Sequence, residues 1–129
     1  MKETMKKAVE TTAAPAAIGP YSQGIICGDL LFISGQLPLE PESGEFIEGG
    51  IEIKTHQVIR NIKAIAEAAG AGLDQVVKTT IFLADLDDFV TVNQVYAQYF
   101  GTPPPARSTI QVAALPKGSP IEMEAVVAL

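Results

Sequence analysis

The sequence is poor in the residues on which much protein chemistry depends. Its 129 residues include one cysteine, Cys27, one histidine, His56, and no tryptophan. A lone cysteine cannot close an internal disulfide. With a single imidazole beside it, too few soft ligands remain for a zinc-type centre. Cys27 follows Ile25 and Ile26 and reads as a small buried hydrophobe. Positive charge is also scarce: nine Lys and Arg against fifteen Asp and Glu give a net charge of −6. Binding to a phosphate backbone needs clustered cations. The one basic group, Lys2, Lys6 and Lys7, is interleaved with Glu3 and Glu10 and reads as a solvated tail. No run approaches the ~20 apolar residues of a membrane span, and the charged stretch Met1–Glu10 lacks the apolar core of a signal peptide. A cytoplasmic chain without membrane or nucleic-acid partners is the expectation. There is no phosphate-binding glycine loop, no histidine metal motif and no Gly-x-Ser-x-Gly elbow.

Aliphatic patterning is what the chain does have. Its length fits one domain over 1–129, with 1–17 as a lead-in that runs into an Ala- and Pro-rich stretch over Thr11–Gly19. Ile25–Cys27 and Leu30–Ser34 flank a Gly28-Asp29 turn signal, as in a β-hairpin. Pro38–Gly50 reads as a loop with room for a short strand at Glu45–Ile47. From Ile51 to Ala69 the apolar positions Ile51, Thr55, Val58, Ile62, Ile65 and Ala69 recur at helical spacing, and Gly70 supplies a stop. His56 falls off that stripe. Val76–Leu83 is β-branched and aromatic. A second helix follows, with Phe89, Val92, Tyr96, Tyr99 and Phe100 on its apolar face; Gly101 and three prolines end it. Arg107–Val112 and Ile121–Leu129 complete a β-β-α-β-α-β-β order. This is an α+β fold, a single sheet with two helices packed on one face.

The uncovered face should then be polar, and it is not. Leu30–Ser34 is apolar on both parities, and the outer parity of the last strand carries Val126 and Ala128 beside Glu122 and Glu124. A patch of that kind left in water exceeds what soluble monomers expose. Burial against copies of the same chain is the simplest resolution, so an oligomer is expected.

Arg107 stands out as a candidate for chemistry, since Pro103-Pro104-Pro105 and Ala106 deliver it from a stiff support. A guanidinium fork grips a carboxylate through two charge-assisted hydrogen bonds. From pattern alone, an ion pair with Glu122 or Glu124 on a neighbouring strand explains it slightly better. Those two carboxylates share a strand face. Burial would raise the pKa of either one, a nearby Arg would lower it, and a Glu between these influences can orient or deprotonate a water. Gly35, in Ser34-Gly35-Gln36, permits close approach of a ligand to the backbone and offers an N–H to a carboxylate or oxyanion. Turn geometry alone would account for it too.

Taken together, Pro20-Tyr21-Ser22-Gln23, Ser34-Gly35-Gln36, Asn61, Ala69-Gly70, Asn93, Ala106-Arg107-Ser108, Leu115-Pro116 and Ile121-Glu122-Met123-Glu124-Ala125 resemble, in order and spacing, the Rid/YjgF family of reactive-intermediate deaminases. The resemblance covers nearly everything after Ala14. It implies a chorismate-mutase-like subunit, a homotrimer around a central barrel, and clefts between subunits. The implied activity is hydrolysis of the imines of 2-aminoacrylate and 2-aminocrotonate to 2-keto acids and ammonia, with no cofactor and no metal. Carried onto this sequence, Arg107 holds the substrate carboxylate, Glu122 positions water, and Tyr21 lines the cleft from the adjacent subunit. Ser34, Gly35 and Asn93 are further pocket positions. Thr109 stands where many members have Cys, which removes any role for a thiol but leaves the backbone carbonyl to hold a water. Three other readings compete: a non-catalytic 2-keto-acid sensor, a ribonuclease or translation inhibitor, and a chaperone-like holder of unfolded chains. The acidic balance and the single imidazole argue against the ribonuclease.

Overall fold

The computed structural model describes residues 5–129; Lys2 and Glu3 lie outside the described residues. Six strands form one sheet: β1 (Lys6–Val9), β2 (Gly24–Cys27), β3 (Leu30–Gln36), β4 (Val76–Leu83), β5 (Ala106–Gln111) and β6 (Ile121–Ala128). Their order across the sheet is β1-β2-β3-β6-β4-β5, with β4 and β5 parallel and all other neighbours antiparallel. Helices α1 (Ile51–Ala68) and α2 (Phe89–Tyr96) cover one face. This is the α+β architecture expected from the periodicities. Among the described residues no helix is long and apolar enough to cross a membrane.

The helical stripe of α1 explains where it sits. Val58, Ile59, Ile62 and Ile65 have no exposed surface and meet Leu31, Ile81, Met123 and Val127 of the sheet in one core. Each such side chain contributes ~1.5–3 kcal/mol through burial. Gly70 ends the helix in the left-handed region at φ 80, while the Ala71 N–H bonds back to the Ala66 carbonyl. In the hairpin, Gly28 takes φ 60, so β2 and β3 are joined by two residues.

The opposite face carries no helix. Leu30, Phe32 and Ile110 are exposed there, Phe32 by 46 %, and Phe32 lies in register with Ile25 and Val126. The uncovered face is therefore apolar, as the alternation implied.

Four expectations are corrected. The N-terminal charged stretch is not simply a solvated lead-in: Lys6–Val9 pairs with β2 in the register Lys6↔Cys27 to Val9↔Gly24. Its lysines suit an edge strand, where charge discourages pairing with other chains. Cys27 is exposed, because the strand ends there and its register neighbour on the other side is the exposed Leu30. The second helix ends at Tyr96, with Tyr99 in the turn that follows and Phe100 just beyond it. The short strand expected at Glu45–Ile47 is reduced to one bridge, Leu39↔Phe46.

Candidate functional site

The positions singled out in the sequence gather in two places. The first is a cleft of about 750 Å3 bounded by Ala16, Ile18, Tyr21, Ser34, Gly35, Leu37, Leu39, Pro116, Lys117, Glu122 and Glu124. It forms where β3 and β6 lose regular pairing: the register is broken between Ile33 and Gln36, and neither Ser34 nor Gly35 has a register partner in β6. Glu122 occupies the space this opens. A Cβ added to Gly35 would lie 1.9 Å from Glu122 Oε2, so the carboxylate sits where only glycine leaves room. Glu122 is partly buried, and that desolvation pushes its carboxyl above the usual range; the charge of Glu124 pushes it further the same way.

Ser34 lines the cleft, but its hydroxyl donates to the Ser22 carbonyl at 2.6 Å. Its proton is committed to the scaffold and only its lone pairs face a ligand. The Tyr21 ring is exposed at the rim, and its hydroxyl accepts the Ile18 N–H at 3.3 Å. Lys117 forms part of the wall in a left-handed conformation (φ 58, ψ 18), alone in this among the described non-glycine residues. Tension of that kind collects at functional sites.

The second gathering lies under α2. Arg107 Nη1 donates to Asn93 Oδ1 at 2.7 Å. The guanidinium carbon stands 4.8 Å from the Tyr96 ring centre and 5.4 Å from that of Phe89, within cation–π range. Tyr96 is itself anchored through a 2.7 Å hydrogen bond between its hydroxyl and that of Thr79. Two aromatic faces and one amide thus fix the guanidinium, and among the described residues no carboxylate does. The Thr109 hydroxyl lies beside Arg107 and Phe89, buried and without a hydrogen-bond partner among the described residues.

The ion pair of Arg107 with Glu122 or Glu124 does not form, for a topological reason. β4 lies between β5 and β6, and Arg107 is in register with Thr79 whereas Glu122 is in register with Phe82. Thr79 and Phe82 are three residues apart and point off opposite faces. Within one chain, then, Tyr21, Ser34, Gly35 and Glu122 come together, Asn93, Arg107 and Thr109 come together, and the two groups look away from each other. His56 joins neither; its Nδ1 is hydrogen-bonded to the Tyr99 hydroxyl. The supports of Arg107 were not identified in the sequence. Phe89 and Tyr96 read as a core stripe, although their spacing of seven also sets them on one helix face. The Pro116-Lys117 wall gave no signal beyond its turn.

Residues 11–129 match the family model described as endoribonuclease L-PSP. The chain is 54% identical over 124 residues to a reactive intermediate deaminase A, chloroplastic, of Arabidopsis thaliana, covering 96% of this chain and 66% of that one. It is 48% identical over 126 residues to a 2-iminobutanoate/2-iminopropanoate deaminase of Homo sapiens, covering 98% and 92%. A solved structure of a conserved Rid-family protein from Yersinia pestis superposes with a TM-score of 0.94 at 47% identity, over 97% of this chain and all of that one.

Proposed function

The chain belongs to the endoribonuclease L-PSP family, also called Rid/YjgF, and from that premise we propose that it hydrolyses reactive 2-imino acids to 2-keto acids and ammonia at a site shared between subunits. The observation that carries this reading is the half-buried Glu122 in the space left by Gly35, a carboxylate made more basic and aimed into a cleft. Deaminase-named relatives at 48% and 54% identity support it. The family's nuclease name finds less support in this chain, whose one imidazole is held by Tyr99 and whose net charge is −6.

The chemistry asks little of the protein. An enamine tautomerises to an imine whose carbon is already electrophilic, so neither metal nor cofactor is required. The Arg107 fork, pre-aligned on Tyr96 and Asn93, takes the substrate carboxylate, and the Gly35 N–H is a second anchor. Glu122 holds a water at the imine carbon and accepts its proton as the C–O bond forms. That proton passes to the imine nitrogen to give a carbinolamine, which expels ammonia as its hydroxyl proton is transferred to the leaving amine, leaving the 2-keto acid. Orienting the two reactants can supply up to ~7–11 kcal/mol of the barrier. On this reading the Thr109 carbonyl of the neighbouring copy holds the same water. Asn93 sets the guanidinium, while Tyr21 and Ser34 line the cleft.

Arg107 and Glu122 look off opposite faces of one sheet, so they can serve one substrate only if it lies between two copies. The exposed apolar face supplies the surface for such contacts, and a homotrimer of chorismate-mutase-like subunits around a barrel of three sheets fits it. Light scattering should give about three times 13.6 kDa. A stronger test mixes Arg107→Lys and Glu122→Gln subunits, each strongly impaired alone. In randomly reassembled rings, about one interface in four carries both wild-type groups, so about a quarter of the activity returns. No recovery after verified exchange would place both groups in one subunit's site.

The pH profile follows from the electrostatics of Glu122. It acts ionised, and its pKa is raised by burial first and by Glu124 second. kcat/KM should therefore fall as pH is lowered through a midpoint above the ~4.3 of a free glutamate. Glu124→Gln removes one of the two raising influences, so the acid limb should move to lower pH. A limb that stays put in that variant would detach it from Glu122.

A further inference from the structure

Two buried amide side chains stand behind the cleft without reaching it. Gln23 is only 4 % exposed. Its Oε1 accepts the Thr11 N–H at 2.7 Å, and its Nε2 donates to the carbonyls of Pro15 at 2.8 Å, Thr11 at 3.0 Å and Ala14 at 3.3 Å. Asn61, on the buried face of α1, donates to the carbonyls of Leu39 at 3.0 Å and Leu37 at 3.2 Å, while its Oδ1 accepts from Gln57 Nε2 at 2.9 Å. A buried amide is tolerated only when hydrogen-bonded, and loop carbonyls away from a ladder need donors. Each side chain meets both requirements at once.

The loops so tied are the apolar walls of the cleft. The segment held by Gln23 leads to Ala16, Ile18 and Tyr21, and the segment held by Asn61 carries Leu37 and Leu39. Ile18 is 81 % exposed. The anchored loop presents this isoleucine at the cleft, beside Leu37 and Leu39. Apolar contact with a ligand would cover it.

We infer that Gln23 and Asn61 are positioning residues that hold a preformed apolar wall against the substrate's side chain, and so set preference for 2-imino acids by side-chain size. This rests on the deaminase reading. Neither residue touches the reacting atoms; each acts through a loop backbone.

Glu and Asp are the discriminating replacements, since they keep size and the acceptor oxygen but lose the donor. In Gln23→Glu the carboxylate faces three carbonyl oxygens and releases the Thr11–Pro15 segment. Imines of an alanine-sized and a leucine-sized amino acid, generated by an amino-acid oxidase, are compared as the ratio of kcat/KM. The ratio for the larger imine should fall about tenfold, the scale of lost pocket contacts, mostly through KM. With three tyrosines and no tryptophan in the chain, 3-fluorotyrosine labelling gives an independent reading. Gln23→Glu should shift the Tyr21 resonance and leave Tyr96 and Tyr99 in place; Asn61→Asp should lower the ratio while leaving Tyr21 unmoved. If Gln23→Glu does not fold, Gln23→Met removes the hydrogen bonds without burying charge. Equal losses for both imines, or an unmoved Tyr21 resonance in the Gln23 variant, overturn the inference. If the wild type hydrolyses neither imine, the deaminase reading falls, and the fluorine spectra alone decide whether Gln23 positions the wall.

Discussion

Arg107→Lys is expected to fold and assemble while kcat/KM for 2-imino acids drops ~30- to 1,000-fold, the equivalent of ~2–4 kcal/mol of charge-assisted bonding made in the transition state. The environment of the guanidinium explains why a retained positive charge does not rescue it. Arg107 lies against the faces of Tyr96 and Phe89 and gives one donor to Asn93. That fixes the plane of the fork and leaves the remaining donors for a carboxylate. An ammonium has neither plane nor fork. The fold should survive because no carboxylate partner is orphaned by the change; Asn93 is uncharged and exposed. Steady-state kinetics on the oxidase-generated imines, with scattering to verify assembly, measure the effect. A trimeric variant with near wild-type kcat/KM would reduce Arg107 to a β5 residue that packs against α2.

Glu122→Gln should cost turnover at least ~100-fold, the scale on which positioned acid–base groups act, while 2-keto-acid affinity through Arg107 survives. Glu124→Gln should do much less, since Glu124 is exposed on the same strand and acts on the reaction only through the charge it sets beside Glu122. The pair separates an enzyme from a sensor: a sensor would lose nothing in Glu122→Gln if binding is intact. The same substitution has a consequence for stability. The carboxyl of Glu122 is held above its unfolded-state value, so the folded chain retains that proton more strongly. Any stabilisation from this is complete below the unfolded pKa and lost as pH rises through the folded one. At neutral pH the ionised group therefore weakens the fold. Glu122→Gln should melt higher than wild type at pH 7, with the gain shrinking toward pH 4. A lower melting temperature at pH 7 would mean that Glu122 holds the structure together rather than working against it.

Much of this was readable from side-chain periodicity. α1, β4 and β6 fall within a residue of their expected bounds because burial fixes their parity or stripe. β1 was not recognised because a four-residue edge strand buries little, only Val9 in this case, and its lysines look like a tail. The exposure of Cys27 depends on which face of the sheet the helices choose, and two apolar parities leave that undecided. The candidate residues were identifiable one at a time, but not their grouping. Whether Arg107 meets Glu122 depends on β4 lying between β5 and β6, a parallel crossing that neither strand's own residues encode.

The placement of β6 bears on how the protein is made. β6 follows the other five strands in chain order yet is inserted between β3 and β4, whose residues leave the ribosome before it. Until Ile121–Ala128 emerges from the exit tunnel, a nascent chain holds two half-sheets, each with an unpaired inner edge rich in Ile, Leu and Phe. Such edges recruit other strands, and pairings this distant in sequence close slowly. Any polypeptide released before Ile121 would lack the central strand, not a peripheral one, and is expected to accumulate in aggregates rather than as a destabilised monomer. Cotranslational binding of a chaperone to the β3 or β4 segment would be the cell's way of bridging that interval.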